Sequence, residues 1–254
     1  MKHIKKDSQN PTLKDFNDWI IRHTQNGDIK RWLEGVEFGT SNIQEIWKKL
    51  HKDSKSWNSL RTTLLEEQGF LCCYCGCSLN FEEVRNEKAE ILVRTVTVEH
   101  LKSKEKDDHQ KLIFDYENLL ACDKNCNQNR GNEELTVNPL EYDSVIQIEL
   151  KKETEIKAGK ETIKRTKTSK SLILLDSQNI DIKKDINTLD LNRADLKIAR
   201  GRLLDEIESY AVEYYEKYKE DISRIELEGK FCKRLNGKYK AFAFVSDWYI
   251  TKEY

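Results

Sequence analysis

The residues of this chain best suited to chemistry are cysteines, which lie in two groups within LCCYCGC and ACDKNC. Cys72 and Cys75, followed by Gly76, form a C-x-x-C-G turn in which backbone N–H groups can point at thiolate sulfurs. Cys122 and Cys126 are four residues apart, a spacing that places both sulfurs on one face if the segment is helical. A closed structural zinc site takes four such ligands in tetrahedral geometry. We therefore predict that these four thiolates bind one structural zinc ion.

The choice among the cysteines stays open, because Cys73 and Cys77 lie in the same stretch. Cys73 with Cys75 or Cys77 is an alternative pair, although the glycine after Cys75 favours Cys72 with Cys75. Unrelated buried thiols are a further interpretation. Disulfides are disfavoured because we expect a cytoplasmic protein, in which thiols stay reduced. The N-terminal lysines have no apolar run behind them, and no stretch of about 18 apolar residues is present to span a bilayer.

Polar residues with catalytic potential accompany the cysteines. The β-branched run ILVRTVTV at 91–98 predicts a strand that delivers Glu99 and His100 at its end. Asn118 precedes the second cysteine group, and Asn127 directly follows Cys126. A neutral histidine can take a proton from water near neutral pH, while carboxylate and amide oxygens can hold a hard divalent cation. Such a set has the parts needed to hydrolyse a phosphodiester.

These motifs resemble those of the HNH endonucleases, which have a ββα-metal fold. The matching segments are CCYCG at 72–76, VEH at 98–100, NLLAC at 118–122 and CNQNRG at 126–131. The resemblance implies that His100 is the general base and that Glu99 binds a catalytic Mg²⁺ or Mn²⁺ ion. It also implies that Asn118 steadies the active-site loop and the base, and that Asn127 binds the same ion. The chain departs from the pattern in having Glu99 where many members have aspartate, and C-x-x-x-C where C-x-x-C is commoner.

A narrower resemblance covers much of the chain. The order of MKHIKK, LRTTLLEEQGFLCCYC, VEH, DYENLLAC and INTLDLNRADLKIAR is similar to that of the PtuB-like HNH proteins of retron and Septu anti-phage systems. This resemblance implies a nuclease effector of phage defence whose partners are a PtuA-like ABC-type ATPase and, in retron systems, a reverse transcriptase with its msDNA. DNA is the favoured substrate. The alternatives are the same site acting on RNA, and a zinc-stapled module that binds nucleic acid or protein without catalysis.

The charge balance restricts any nucleic-acid surface to a local patch. Forty-four Lys and Arg residues stand against 45 Asp and Glu, which gives a net charge of -1 and no global basic field. Lys102, Lys104 and Arg130 flank the motifs and are the candidate phosphate contacts.

The remaining elements must position these residues, and together they predict an α+β fold. Capping signals and apolar periodicity predict a helical N-terminal region at 1–69. We expect the zinc-stapled ββα-metal module at 70–140, with a helix that begins at NLLAC and has Asn118 as its cap. Two β-prone runs that flank KAGK predict a hairpin, and apolar spacing then predicts helices, within a C-terminal region at 141–254.

Overall fold

The structure is a computed structural model that describes residues 6–25, 40–81, 93–103, 112–136, 138, 147–158 and 165–218. Lys104, the tip of the predicted hairpin and the chain after Tyr218 lie outside these ranges. Within them the protein has six α-helices, a three-stranded sheet and a two-stranded sheet, which confirms the predicted α+β class. None of the helices in these ranges is long and apolar enough to cross a membrane.

Three helices form the described N-terminal part. After a 3-10 turn at Pro11–Leu13, α1 spans Lys14–Gln25, α2 spans Thr40–Lys52 and α3 spans Ser54–Glu67. Asp53 caps α3, because its side chain accepts a hydrogen bond from the Ser56 N–H. Trp19 and Leu64 are among the fully buried side chains through which these helices join the core. The prediction of a helical region before the cysteines is confirmed for these residues.

The central sheet has three short strands. β1 spans Ser78–Asn80, β2 spans Val93–His100 and β3 spans Leu119–Asp123, in the spatial order β1-β2-β3. β1 runs parallel to β2, and β2 runs antiparallel to β3 with Glu99 opposite Leu120 and His100 opposite Leu119. The predicted strand is therefore confirmed, and Glu99 and His100 are its last two residues.

The helix after β3 begins later than the sequence predicted. α4 spans Lys124–Arg130, and Asp123 caps it by accepting a hydrogen bond from the Asn125 N–H at 3.3 Å. The expected helix from NLLAC onward is wrong, because Leu119–Asp123 is a fully buried strand, and periodicity alone cannot separate a short apolar strand from a helix. Asn118 accordingly ends a 3-10 turn and does not cap a helix. We refer to β2, β3 and α4 together as the ββα unit.

The side chain of Gln68, which is buried just after α3, joins the N-terminal helices to the sheet. Its Nε2 donates to the carbonyl oxygens of Leu71 at 2.9 Å and Ala121 at 2.8 Å. Its Oε1 accepts a hydrogen bond from the Ala121 N–H at 2.7 Å. The amide of Gln68 thus pairs with β3 as the backbone of an adjacent strand would.

The described C-terminal part consists of a hairpin and two helices. β4 spans Gln147–Ala158 and pairs antiparallel with β5 at Arg165–Asp176, and α5 at Ile180–Thr188 and α6 at Ala194–Tyr218 follow. These elements confirm the predicted hairpin and the helices after it. The α5 end contacts the region after β3, where Asn129 Nδ2 donates to the Leu189 carbonyl at 3.3 Å.

Candidate metal centre and catalytic residues

Six cysteines are buried together where the turn at 72–77 meets β3 and α4. Within the turn, the Gly76 N–H donates to the Cys72 carbonyl at 3.1 Å. Gly76 has φ +71°, a left-handed conformation that favours glycine. The Cys73 N–H donates to the Ala121 carbonyl at 3.2 Å and so fastens the turn to β3. The glycine noted in the sequence therefore shapes the turn that carries the thiols.

Three of the four predicted zinc ligands form one compact group. The sulfurs of Cys72, Cys75 and Cys126 all lie within 4.8 Å of one another. Cys122 joins this group through Cys72, since the two sulfurs are 4.0 Å apart. Cys73 lies in a second group with Cys72 and Cys122, and Cys77 lies in a third with Cys75 and Asp123, so both remain alternative ligands. This thiol cluster can hold a metal ion such as zinc, because soft sulfur ligands at these separations suit that ion.

The electrostatics of the thiol cluster concentrate negative charge on Cys72. Its sulfur accepts hydrogen bonds from the backbone N–H groups of Tyr74 at 3.4 Å and Asp123 at 3.2 Å. Burial raises the pKa of Cys72, but hydrogen bonds from the thiols of Cys122 and Cys126 outweigh burial and hold that pKa well below its usual range. Burial raises the pKa of the Cys122 thiol well above its usual range. A bound cation would replace the protons of such thiols, because metal ligation requires the thiolate form.

Glu99 lies in a buried polar network. Its Oε1 accepts a hydrogen bond from the Tyr74 hydroxyl at 3.0 Å and forms an ion pair with the Arg130 guanidinium. Arg130 also donates to the carbonyl oxygens of His100 at 2.5 Å and Leu101 at 2.8 Å. Burial raises the pKa of Glu99, and the contacts with Arg130 and Tyr74 partly offset that effect.

The predicted phosphate contacts Arg130 and Lys102 differ in burial. Arg130 was expected at the surface, but its side chain is only 2% exposed and is committed to the end of β2. The expectation that Arg130 contacts phosphate is therefore wrong for this structure, because a buried guanidinium that pairs with Glu99 is not offered to a ligand. Lys102 is exposed, as a phosphate contact requires. Lys104 lies outside the described residues.

His100 lies on the face of β2 opposite to Glu99, as the alternation of side chains along a strand requires. Its ring packs against the indole of Trp47 on α2, with centroids 4.8 Å apart. Its Nε2 is 3.1 Å from the Ile113 carbonyl oxygen, and since a carbonyl oxygen can only accept, Nε2 must carry the proton. In the neutral imidazole, Nδ1 is then the basic nitrogen. The ring is thus held in one tautomer, which is what a general base needs.

Asn118 connects the segment after β2 to the segment that holds Ile113. Its Oδ1 accepts a hydrogen bond from the Lys102 N–H at 2.7 Å. Its Nδ2 donates to the carbonyl oxygens of Lys102 at 3.3 Å and Leu112 at 3.0 Å. This geometry suits the implied role of Asn118, because it ties the backbone just after His100 to the segment whose Ile113 carbonyl bonds the His100 ring.

Asn127 of α4 reaches back to β2. Its Nδ2 donates to Thr97 Oγ1 at 3.2 Å and to the Val98 carbonyl at 3.3 Å. Thr97 and Glu99 point to the same face of β2, so Asn127 lies on the Glu99 side of the strand. Its Oδ1, the atom that could ligate a cation, is outside these two bonds. The structure therefore places Glu99 and Asn127 on one face of β2 and His100 on the other, while Asn118 supports the segment that bonds the His100 ring.

Sequence reasoning missed several contacts that shape this site. Trp47 packs on His100 from a helix about fifty residues earlier, and no local motif marks it. Arg193, just before α6, donates to the Cys126 sulfur at 3.5 Å across 67 residues. Tyr74 stands inside the cysteine stretch, yet only the folded structure shows that its hydroxyl meets Glu99. Each of these contacts depends on tertiary packing between distant segments.

Comparison with known protein families, curated proteins and solved structures gives no significant match for this chain. The interpretation of the site therefore depends on its own residues and geometry.

Proposed function

We propose that this chain is a metal-dependent endonuclease of the HNH type that hydrolyses backbone phosphodiesters, with DNA as the favoured substrate. One observation carries the proposal: His100, held in a single tautomer by the Ile113 carbonyl, ends the strand next to Glu99. Asn127 approaches the same strand from the helix that follows the strand pair. A base, a carboxylate and an amide thus belong to one strand end and the helix beside it, with Glu99 and Asn127 on one face of β2 and His100 on the other.

The chemistry assigns each residue a task. His100 Nδ1 takes a proton from the water that attacks phosphorus, while the Nε2–H bond keeps the ring from turning. Asn118 holds the backbone around Lys102, whose exposed ammonium group can contact a neighbouring phosphate. A divalent cation such as Mg²⁺ or Mn²⁺ on Glu99 and Asn127, whose oxygens suit hard ions, would polarise the phosphate and stabilise the leaving oxygen.

The thiol cluster has a structural task in this proposal. Zinc on Cys72, Cys75, Cys122 and Cys126 would join the turn at 72–77 to β3 and α4. Because those segments carry Tyr74 and Arg130, the ion would also hold the surroundings of Glu99 in place. Metal binding free energy would then contribute directly to the folding free energy of this small unit.

A cleavage assay with plasmid DNA and structured RNA tests the proposal. The parent protein should cut nucleic acid only with added Mg²⁺ or Mn²⁺, and His100→Ala should lower the rate by about 100-fold or more. His23→Ala is the matched control, because the ring of His23, on α1, also bonds a backbone carbonyl, that of Trp19 at 3.0 Å. Cleavage by His100→Ala at the parent rate would overturn the mechanism. The substrate that is cut decides between DNA and RNA.

One contact favours a second candidate, a zinc-stapled binding module without catalysis. Arg130 already neutralises Glu99, so a cation must use the other carboxylate oxygen or displace the guanidinium. In a purely structural module this ion pair would be permanent. Nucleic acid that binds the parent protein but stays intact with every divalent ion would support that candidate.

The PtuB-like resemblance supports a role as nuclease effector in anti-phage defence beside a PtuA-like ABC-type ATPase, with a reverse transcriptase and msDNA in a retron system. The cleavage assay therefore includes an arm with that ATPase and ATP. Activity that appears only in this arm, and that His100→Ala abolishes, would assign both the partner and the site.

A further inference from the structure

Arg193, in the turn before α6, bridges the thiol cluster to the cap of α4. Its Nη2 donates to Asp123 Oδ2 at 2.7 Å, and its Nη1 donates to the Cys126 sulfur at 3.5 Å. The Asp123 side chain is 1% exposed and that of Arg193 is 12% exposed. Arg193 also pairs with Asp195 at 3.2 Å, which orients the guanidinium from the α6 side. The contact is therefore a largely buried bridge between the C-terminal helix and a metal-ligand candidate.

The charge of the thiol cluster determines how favourable the Arg193 guanidinium is there. A zinc ion on four thiolates would carry two net negative charges, and Asp123 adds a third. Arg193 opposes part of that charge within a poorly solvated region, where such interactions are strong.

We infer that Arg193 stabilises the metal–thiolate centre, and that metal binding in turn holds α6 against the ββα unit. Linkage makes the two effects reciprocal: whatever free energy the docked helix adds to metal binding, the metal adds to docking. The thiol cluster is then a junction between the C-terminal helices and the candidate catalytic unit. Partners around a metal's direct ligands commonly change affinity by about 10- to 100-fold, which sets the expected size of the effect.

The test measures zinc affinity of the full-length protein by competition with a chelator of known affinity. Arg193→Gln should weaken zinc binding by about 10- to 100-fold. The zinc affinity of Arg193→Lys should lie between those of the parent and Arg193→Gln. Lysine keeps the charge, but it cannot bridge Asp123 and Cys126 together. Arg202→Gln is the matched control, since Arg202 is exposed on the same helix, and its affinity should stay within about twofold of the parent. Affinity of Arg193→Gln within twofold of the parent would overturn the inference, as would a parent chain that takes up no zinc.

Hydrogen–deuterium exchange supplies a second measurement on the parent protein alone. Removal of zinc should speed amide exchange along α6 more than along α1, which packs on α3 away from the thiol cluster. Equal exchange of α6 with and without zinc would reject the coupling even if affinity changes. The inference needs the metal centre but not nuclease activity. Zinc affinity and amide exchange test the role of Arg193, whereas the cleavage assay tests catalysis by His100, so the two proposals can fail independently.

Discussion

The three hydrogen bonds of Asn118 make a sharp prediction about stability. Asn118 is 5% exposed and bonds Lys102 N–H at 2.7 Å, Lys102 O at 3.3 Å and Leu112 O at 3.0 Å. At about 1 kcal/mol for each bond, Asn118→Ala should lower the free energy of unfolding by about 3 kcal/mol. Asn118→Asp keeps the shape and the acceptor for Lys102 N–H, but it turns a carboxylate oxygen toward two carbonyl oxygens. We expect it to be at least as destabilising as the alanine variant near neutral pH.

The pH dependence of Asn118→Asp separates this reasoning from a packing effect. Burial and the facing carbonyls raise the folded-state pKa of the new carboxyl above its unfolded value, so the folded variant binds the proton more tightly. The stability of the variant relative to the parent must therefore fall as pH rises from the unfolded-state pKa to the folded-state pKa of this carboxyl. It must recover as pH is lowered again. Urea denaturation of the zinc-loaded proteins at several pH values measures this difference, with Asn58→Asp, an exposed site on α3, as control. Equal stability of Asn118→Asp and the parent at neutral pH would refute the hydrogen-bond assignment.

Three further predictions concern the supports of the site. Gln68→Glu should lower the free energy of unfolding, measured by urea titration, by about 2 kcal/mol. The variant keeps the bond from Ala121 N–H but loses the two bonds that Nε2 donates. Gln128→Glu, at an exposed position, is the control and should leave the free energy of unfolding nearly unchanged. Gly131→Ala should lower the free energy of unfolding by about 1–3 kcal/mol, because φ +55° with ψ -122° is a combination that residues with a Cβ rarely adopt, while the added Cβ would meet no atom nearer than 4.0 Å. A loss below about 0.3 kcal/mol by thermal or urea unfolding would contradict this. Cys72→Ser should abolish bound zinc as measured by elemental analysis, while Cys77→Ser should retain one ion per chain; equal loss in both variants would overturn the ligand assignment.

Local signals in the sequence were sufficient for much of the ββα unit. The β-branched residues before Glu99 indicate β2, because such residues fit a pleated surface. The C-x-x-C-G pattern indicates a tight turn, and Gly76 has the left-handed φ that the turn requires. The two cysteine groups also meet as predicted, although they are about fifty residues apart. The shared helical face predicted for the second pair is wrong, however, because Cys122 lies in β3 and only Cys126 lies on the helix. These features are encoded within a few residues of where they act.

The errors arise where tertiary contacts decide the outcome. The five residues of β3 have the apolar spacing of a helix, but pairing with β2 makes them a strand. The helix therefore begins only at Lys124, with Asp123 as its cap. Arg130 carries a charge typical of a surface residue, and only the burial of Glu99 explains why it is inside. The sequence gives no register between α4 and β2 from which that ion pair could have been inferred.

The alternation of side chains at the end of β2 divides the site between two parts of the molecule. Glu99 meets α4 and the cysteine turn, whereas His100 meets α2 through Trp47 and the 112–113 segment through Ile113. A shift of α2 would therefore change the packing around the His100 ring and leave the contacts of Glu99 in place. A change at the thiol cluster would instead reach Glu99 first, through Tyr74 and α4. Two adjacent residues of one strand thus depend on different parts of the molecule, one on the N-terminal helices and one on the cysteine turn and α4.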